Sequence, residues 1–205
     1  MGLEGRKRLV GGMIWLCWGT LVTTGFAALI RHESSPGPAG PPLATQPGAS
    51  DLALEPGRFN LVIFAHPRCP CTRATLAELA KLLARFDGRL VAQLHLYRPV
   101  GTPESWAEGA LMDAATATPG LRIVGDEGGR LAAEFGSLTS GHSHLYGPDG
   151  ARLFDGGITP GRAHEGDNEG ASTIAGLIRG DGPRGASTPV YGCTIANRRG
   201  VADAR

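Results

Sequence analysis

Leu9 to Ile30, LVGGMIWLCWGTLVTTGFAALI, runs for 22 residues without a charged side chain. In hydrocarbon the backbone must satisfy its own polar groups, so such a run can only be a helix. At 1.5 Å per residue it crosses a bilayer core of roughly 30 Å. Arg6, Lys7 and Arg8 precede it, and Arg31, His32 and Glu33 come after it. The excess of positive charge on the N-terminal side keeps residues 1–8 in the cytoplasm and exports the rest of the chain. The expectation is a single-pass anchor at 9–30 in the cytoplasmic (inner) membrane, with the folded part in the periplasm. The competing reading is a cleaved signal peptide, with Gly25-Phe26-Ala27 as a weak cleavage site. Its apolar core would exceed the usual length of roughly 7–15 residues. Cys17 lies inside the run and reads as an ordinary small apolar residue of a membrane helix.

The remaining chain is too short for two full domains. Over the full sequence 20 Lys+Arg balance 19 Asp+Glu, a net charge of +1 that excludes a broad electrostatic footprint for nucleic acid. Glu33 to Gly57 holds six Pro and four Gly without an apolar period, so 31–57 is predicted to be a linker. A globular domain is then expected over 58–180, followed by an irregular tail over 181–205.

Within the domain, Asn60–Ala65 is a short apolar run typical of a buried strand. Thr72 to Phe86 places Leu76, Leu79, Leu83 and Phe86 at helical spacing, and Gly88 stops that helix. Leu90–Tyr97 is a second strand. Pro103–Ala117 is predicted to be a helix, Leu121–Val124 a strand and Gly129–Phe135 a short helix. Ser143–Tyr146 and Ala151–Asp155 flank a Pro-Asp-Gly turn and predict a hairpin. Glu169–Ile178 closes the pattern as a helix, with Asp167-Asn168 before it as caps and Asp167 favoured for that role. This order implies one sheet layered with helices.

His66-Pro67-Arg68-Cys69-Pro70-Cys71-Thr72-Arg73 joins the first strand to the first helix of the domain. Both thiols therefore lie near a helix N-terminus, where unpaired N–H groups and the dipole favour a thiolate. Arg68 and Arg73, with His66 when protonated, add positive charge of the kind that lowers a thiol pKa. Pro70 stiffens the one-residue spacing, so a Cys69–Cys71 disulfide would be strained and readily exchanged. Two inert reduced cysteines are the plain alternative, and exported thiols at such a junction are seldom idle.

A buried strand, a thiol motif, a long helix and a late hairpin resemble the thioredoxin-like superfamily over Asn60–Ile178. FAHPRCPCTRATLAEL, the Leu-Thr-Ser-Gly segment, GGIT, HEGDNEG and the late Tyr-Gly-Cys resemble the small exported RedB-type family. The resemblance implies a thioredoxin-like three-layer α/β/α sandwich behind the transmembrane helix. It also places Gly141 where thioredoxins carry a cis-proline that packs on the thiols and blocks metal capture. Thioredoxins space their cysteines by two residues and precede the first with Trp; here the spacing is one and the residue is Arg68.

His142 and His144, two residues apart, would share one face of a strand. By the resemblance that strand lies beside the thiols, so Cys69, Cys71, His142 and His144 could surround Zn or Cu. Two polar histidines at a strand end are the simpler account. Cys193 is open to three roles: a resolving thiol for Cys69 or Cys71, a third metal ligand, or an exposed thiol. Pro189-Val190-Tyr191 gives the tail an apolar anchor and favours contact within the chain. The glycine-punctuated loop 156–170 is long for a connector, and Arg162 and His164 are candidates for the site's rim. His95, inside the second strand, reads as structural, and His32 as linker.

These residues support two functions. The first is a membrane-anchored thiol–disulfide oxidoreductase acting on a protein dithiol or disulfide without a required cofactor. Cys69, as the more solvent-facing thiol, would attack, and Cys71 or Cys193 would resolve. The alternative is a copper-binding or delivery module built on the cysteine pair and the nearby histidines. A thiol peroxidase fits less well, because a peroxiredoxin-like site has Thr three residues before its cysteine and this chain has His66 or Arg68 there. The sequence shows no oligomer.

Overall fold

The structure is a computed structural model, and it describes residues 2–38, 40 and 52–196. Part of the predicted linker (39 and 41–51) and the end of the predicted tail (197–205) lie outside the described residues. The chain divides into two compact units, Met1–Ser35 and Pro36–Arg205. The first is a single helix, α1 (Leu3–Glu33), whose 31 residues are long and apolar enough to cross a membrane. None of its side chains is buried within the structure.

The second unit is built on a six-stranded sheet: β1 (Phe59–Ala65), β2 (Leu90–Arg98), β3 (Leu121–Glu127), β4 (His142–Tyr146), β5 (Arg152–Gly156) and β6 (Ala186–Ser187). The spatial order is β3-β2-β1-β4-β5-β6. β1, β2 and β3 run parallel, β4 is antiparallel to both β1 and β5, and β6 is parallel to β5. β1 is central and covered on both faces, which is why its sequence is continuously apolar rather than alternating. Asn60 interrupts that run without penalty. Its amide exchanges hydrogen bonds with Glu55 N and O at 2.8 and 3.0 Å and donates to Arg58 O at 2.9 Å.

Residue parity along β1 separates two cores. Leu61, Ile63 and Ala65 face α2 (Thr72–Arg85), α3 (Ala110–Thr116) and α5 (Glu169–Arg179), with Leu76, Leu79, Leu111, Ile174 and Ile178 buried there. Val62 and Phe64 face the other side, against α4 (Arg130–Glu134), Phe135, Tyr146, Leu52 and Ile195. The α/β/α layering is therefore uneven. One face carries three helices, and the other carries one short helix filled out by chain from outside the regular elements. α5 starts on Asn168, whose Oδ1 accepts from Ala171 N at 2.7 Å, so Asn168 and not Asp167 is its cap.

Three other boundaries differ from expectation. The predicted helix over 103–117 is split into a 3₁₀ turn (Glu104–Ala107) and α3. Gly109, at φ +139°, sits at the break in a conformation that glycine tolerates. The globular unit begins before Arg58: Leu52 is fully buried, and Gln93 Nε2 donates to Ala53 O at 2.9 Å. The tail is not wholly irregular. It supplies β6, a bridge between Thr139 and Thr194, and the buried side chain of Ile195.

Candidate functional site

The turn from β1 into α2 brings Cys69 and Cys71 together at the start of the helix. Cys69 N donates to His66 O at 3.0 Å, and Thr72 N donates to Cys69 O at 3.2 Å. The third thiol comes from the tail. Sγ of Cys69, Cys71 and Cys193 all lie within 4.8 Å of one another. Residues 192–195 run beside the loop that leads into β4. Ser140 N donates to Cys193 O at 2.8 Å and Ile195 N donates to Leu138 O at 2.9 Å. Gly192 is so close that a Cβ would overlap the Ser140 carbonyl oxygen. Gly141 adopts φ +93°, with its N–H on Phe64 O at 2.9 Å and a notional Cβ 2.9 Å from Thr75 Oγ1. This glycine holds a left-handed turn against α2 that a side chain would strain.

The three thiols differ in character. Burial works to raise the Cys69 pKa, but the Cys193 backbone N–H, the Thr72 hydroxyl, the Cys193 thiol and the Ser140 hydroxyl outweigh it, so Cys69 lies below the ordinary thiol value. Burial and the neighbouring Cys69 raise Cys71. Burial and the Cys69 contact push Cys193 up to about 12. Of the three, Cys69 is thus the thiol that ionises most readily. Cys69 is only 3 % exposed and Cys71 7 %, whereas Cys193 is exposed. Cys69 is therefore not the solvent-facing member that the junction alone implied.

The positive charge beside the thiols comes from one of the two residues expected at the rim. Arg162 faces Cys71 and Cys193, and its guanidinium donates to Gly192 O. Arg68 instead points outward and lies over the Trp106 ring at 4.4 Å, while Arg73 is exposed on α2. His66 stacks on Tyr97 at 5.4 Å and accepts at Nδ1 from Arg68 N at 3.1 Å. Burial and then Arg68 lower its pKa, so it is held neutral rather than adding charge. Pro67 is buried in the turn and Pro70 is exposed between the thiols. His164 lies on the surface with Nδ1 2.7 Å from Arg162 O.

Thr72 and Ser140 were not singled out in the sequence. They form one hydroxyl pair: Thr72 Oγ1 is 2.8 Å from Ser140 Oγ, which accepts from His66 N at 2.8 Å. The signals available were their positions, directly after Cys71 and directly before Gly141. A hydrogen bond to a charged group is worth about 1.5–3 kcal/mol. Thr72→Val should therefore slow alkylation of Cys69 at pH 7 about tenfold, by shifting its titration upward. An unchanged pH–rate profile for iodoacetamide would show that the hydroxyl does not act on the sulfur.

His142 and His144 do share one strand face, but it is the wrong face for the thiols. They pair across the sheet with Phe64 and Val62, on the side opposite α2. The combined Cys69, Cys71, His142 and His144 metal set is therefore not formed. His142 Nε2 lies 2.6 Å from Asp155 Oδ1, and His144 Nε2 is 2.8 Å from Ser137 Oγ. Asp155 also accepts from Arg152 Nη1 at 2.8 Å. His142, His144 and Asp155 have donor atoms within 4.8 Å, but the two rings stack at 4.6 Å and 24°. Their in-plane lone pairs run side by side, and Arg152 already supplies a cation to the carboxylate, so this trio reads as an internal polar network. The three thiols are the other group with mutually close donor atoms among the described residues.

Solved structures superpose on this chain. An uncharacterized conserved protein from Geobacillus kaustophilus superposes with TM-score 0.56 at 16 % identity, covering 80 % of this chain and 93 % of that one. A hypothetical protein from Sinorhizobium meliloti does so with TM-score 0.56 at 18 % identity, covering 80 % and 96 %. A secreted Mycobacterium tuberculosis disulfide oxidoreductase aligns with TM-score 0.43 at 13 % identity, covering 61 % and 83 %. No family model matches the chain, and no curated protein matches it. The central β1-α2-β2 unit, the antiparallel β4-β5 hairpin and the closing α5 settle the architecture. The fold is thioredoxin-like. In it the thiols sit at the C-terminal end of the central strand, where the sheet delivers them to a helix N-terminus.

Proposed function

We propose that this chain is a membrane-anchored thiol–disulfide oxidoreductase that acts on protein thiols on the exported side of the inner membrane. The observation that supports this best is Cys69. Its thiol is held below the ordinary value despite burial, and two further thiols lie within 4.8 Å of it and each other. A low-pKa thiol is the better leaving group in exchange, and a nearby protonated thiol is the partner that closes a disulfide. Cys71 and Cys193 both stand in that position. Exchange moves two electrons between sulfur pairs and uses no organic cofactor.

α1 supports the anchoring part of the reading, being uncharged between Arg8 and Arg31 with basic residues ahead of it. An oxidising compartment is where such a thiol set has partners. The aromatic surface of Tyr97 and Trp106 beside His66 offers an amphipathic platform for a protein chain near the thiols.

The test is a thiol count by mass after alkylation, on the full chain in detergent, across a glutathione redox series. Two thiols should become protected together at a potential between roughly −270 and −120 mV. Thiols that stay free throughout the series would overturn the reading.

A further inference from the structure

We infer that the working disulfide of this site is Cys69–Cys193, and that the substrate sulfur exchanges with Cys193 rather than with either cysteine of the Cys-Pro-Cys motif. This rests on the oxidoreductase reading above and specifies which sulfurs carry it.

The first ground is how firmly the tail is seated. It is held from both sides: Gly37 N donates to Val190 O at 2.8 Å, and Ser140 N donates to Cys193 O at 2.8 Å. Ile195 is buried against Phe64 and Phe135, and Arg162 binds the Gly192 carbonyl. Gly192 fits only because it has no side chain. Cys193 is thus fixed beside Cys69 and not carried on a free arm. Both its backbone N–H and its thiol are directed at the Cys69 sulfur. Cys71, in contrast, is tied into the first turn of α2, with Ala74 N on its carbonyl at 3.2 Å and Arg73 N on the Pro70 carbonyl at 3.3 Å. Closing Cys69–Cys71 would have to work against that turn and against Pro70.

The second ground is access. Cys69 and Cys71 are buried and Cys193 is exposed. In a Cys69–Cys193 disulfide the only sulfur open to an incoming thiolate is that of Cys193. Attack there also expels the sulfur that leaves best, because Cys69 is the thiol whose surroundings stabilise the anion.

The exchange balances. A thiolate of a protein dithiol attacks Cys193 Sγ, the Cys69–Cys193 bond breaks, and its electron pair remains on Cys69 as thiolate. The second thiol of the partner, losing its proton, attacks the partner sulfur in the mixed disulfide. This releases Cys193, which takes up that proton. The partner dithiol is oxidised to a disulfide by two electrons and the Cys69–Cys193 pair is reduced. The reverse sequence reduces a partner disulfide.

The test is peptide mapping of the oxidised full chain in detergent, followed by trapping with limiting reduced glutathione. The expected map shows Cys69 joined to Cys193 with Cys71 free, and glutathione trapped on Cys193. Cys71→Ser should still form the disulfide, and Cys193→Ser should lose it. A Cys69–Cys71 disulfide with Cys193 free, or glutathione on Cys69, overturns this inference and leaves the oxidoreductase reading standing. The absence of any disulfide among the three across the series overturns both. The wild-type map does not depend on how either variant folds.

Discussion

Cys69→Ser is expected to lower thiol–disulfide exchange on the order of 10³-fold or more, because it removes the sulfur that closes the disulfide and leaves from it as thiolate. Neither remaining thiol can take its place at neutral pH. Cys71 is raised by burial first and by Cys69 second, and Cys193 is pushed up to about 12 by burial first and then by Cys69. Removing Cys69 relieves the second contribution in each case but leaves the burial. The hydroxyls of Thr72 and Ser140 are aimed at the Cys69 sulfur and do not transfer their stabilisation elsewhere. The measurement is turnover of a mixed-disulfide substrate, paired with the pH profile of iodoacetamide alkylation. Wild type should show a reactive thiol titrating below the ordinary value, and the variant should lose that limb. A variant that kept activity within tenfold of wild type would transfer the chemistry to another sulfur.

Acid should unfold the domain through two histidines remote from the thiols. His95 and His144 are 2 % and 0 % exposed, and burial lowers each from 6.5 to about 4. Neither His95 ring nitrogen has a hydrogen-bond partner among the described residues, and the ring lies 5.1 Å from Phe64. His144 packs edge-on to Phe64 and Phe135, and its Nδ1 lies 3.5 Å from Asp155 Oδ2. Both are neutral in the folded state and protonated in the unfolded state between about pH 4 and 6.5. The unfolded chain binds more protons throughout that window, so stability falls as pH drops through it. A depression of about 2.5 pKa units corresponds to about 3 kcal/mol for each ring. The two together rival the whole stability of an ordinary domain, about 5–15 kcal/mol.

Asp155 extends the loss. His142 and His144 hold its carboxyl below the usual range against its burial, so its contribution disappears only at still lower pH. Asp126, raised by burial, opposes the trend near the ordinary carboxylate range and is partly offset by the N–H groups of Ala132 and Leu131. Urea titrations at pH 7.5, 5.5 and 4.5 should therefore show a steep fall in unfolding free energy. His95→Phe should remove about 3 kcal/mol of that fall, because it fills the same space without a ring that must titrate. A stability that is flat from pH 7.5 to 4.5 would show that these rings are hydrated or paired in solution.

Local pattern was enough to place the helices and strands that carry the thiols. The apolar run 9–30, the uninterrupted strand before His66 and the leucine spacing after Cys71 each report on residues adjacent in sequence. The break at Gly109 was hidden because glycine inside an otherwise helical composition does not announce which φ it will take. Leu52 and Ile195 were hidden for a related reason. A single apolar residue in a polar, Pro- or Gly-rich stretch carries no period, and only the shape of the uncovered sheet face gives it a place.

The site divides along the same line. Cys69 and Cys71 were legible because their chemistry follows from the strand-to-helix junction that contains them. Arg162 and Cys193 became functional neighbours of those thiols through contacts across about 90 to 120 residues of chain, as their numbering shows. Ser140 did so through the pairing of β4 with β1. The direction of His142 and His144 depended on the register of that same pairing. A shift of one residue reverses every side chain on a strand, and no local signal in HSHLY says which face is which. The sequence by itself determined the long apolar N-terminal helix, the alternation of elements and the paired thiols, all set by short-range periodicity and composition. Tertiary structure alone decided which thiol ionises most readily, which one faces solvent, and that the histidines belong to Asp155, because each of these is set by what long-range packing places beside a given sulfur or ring.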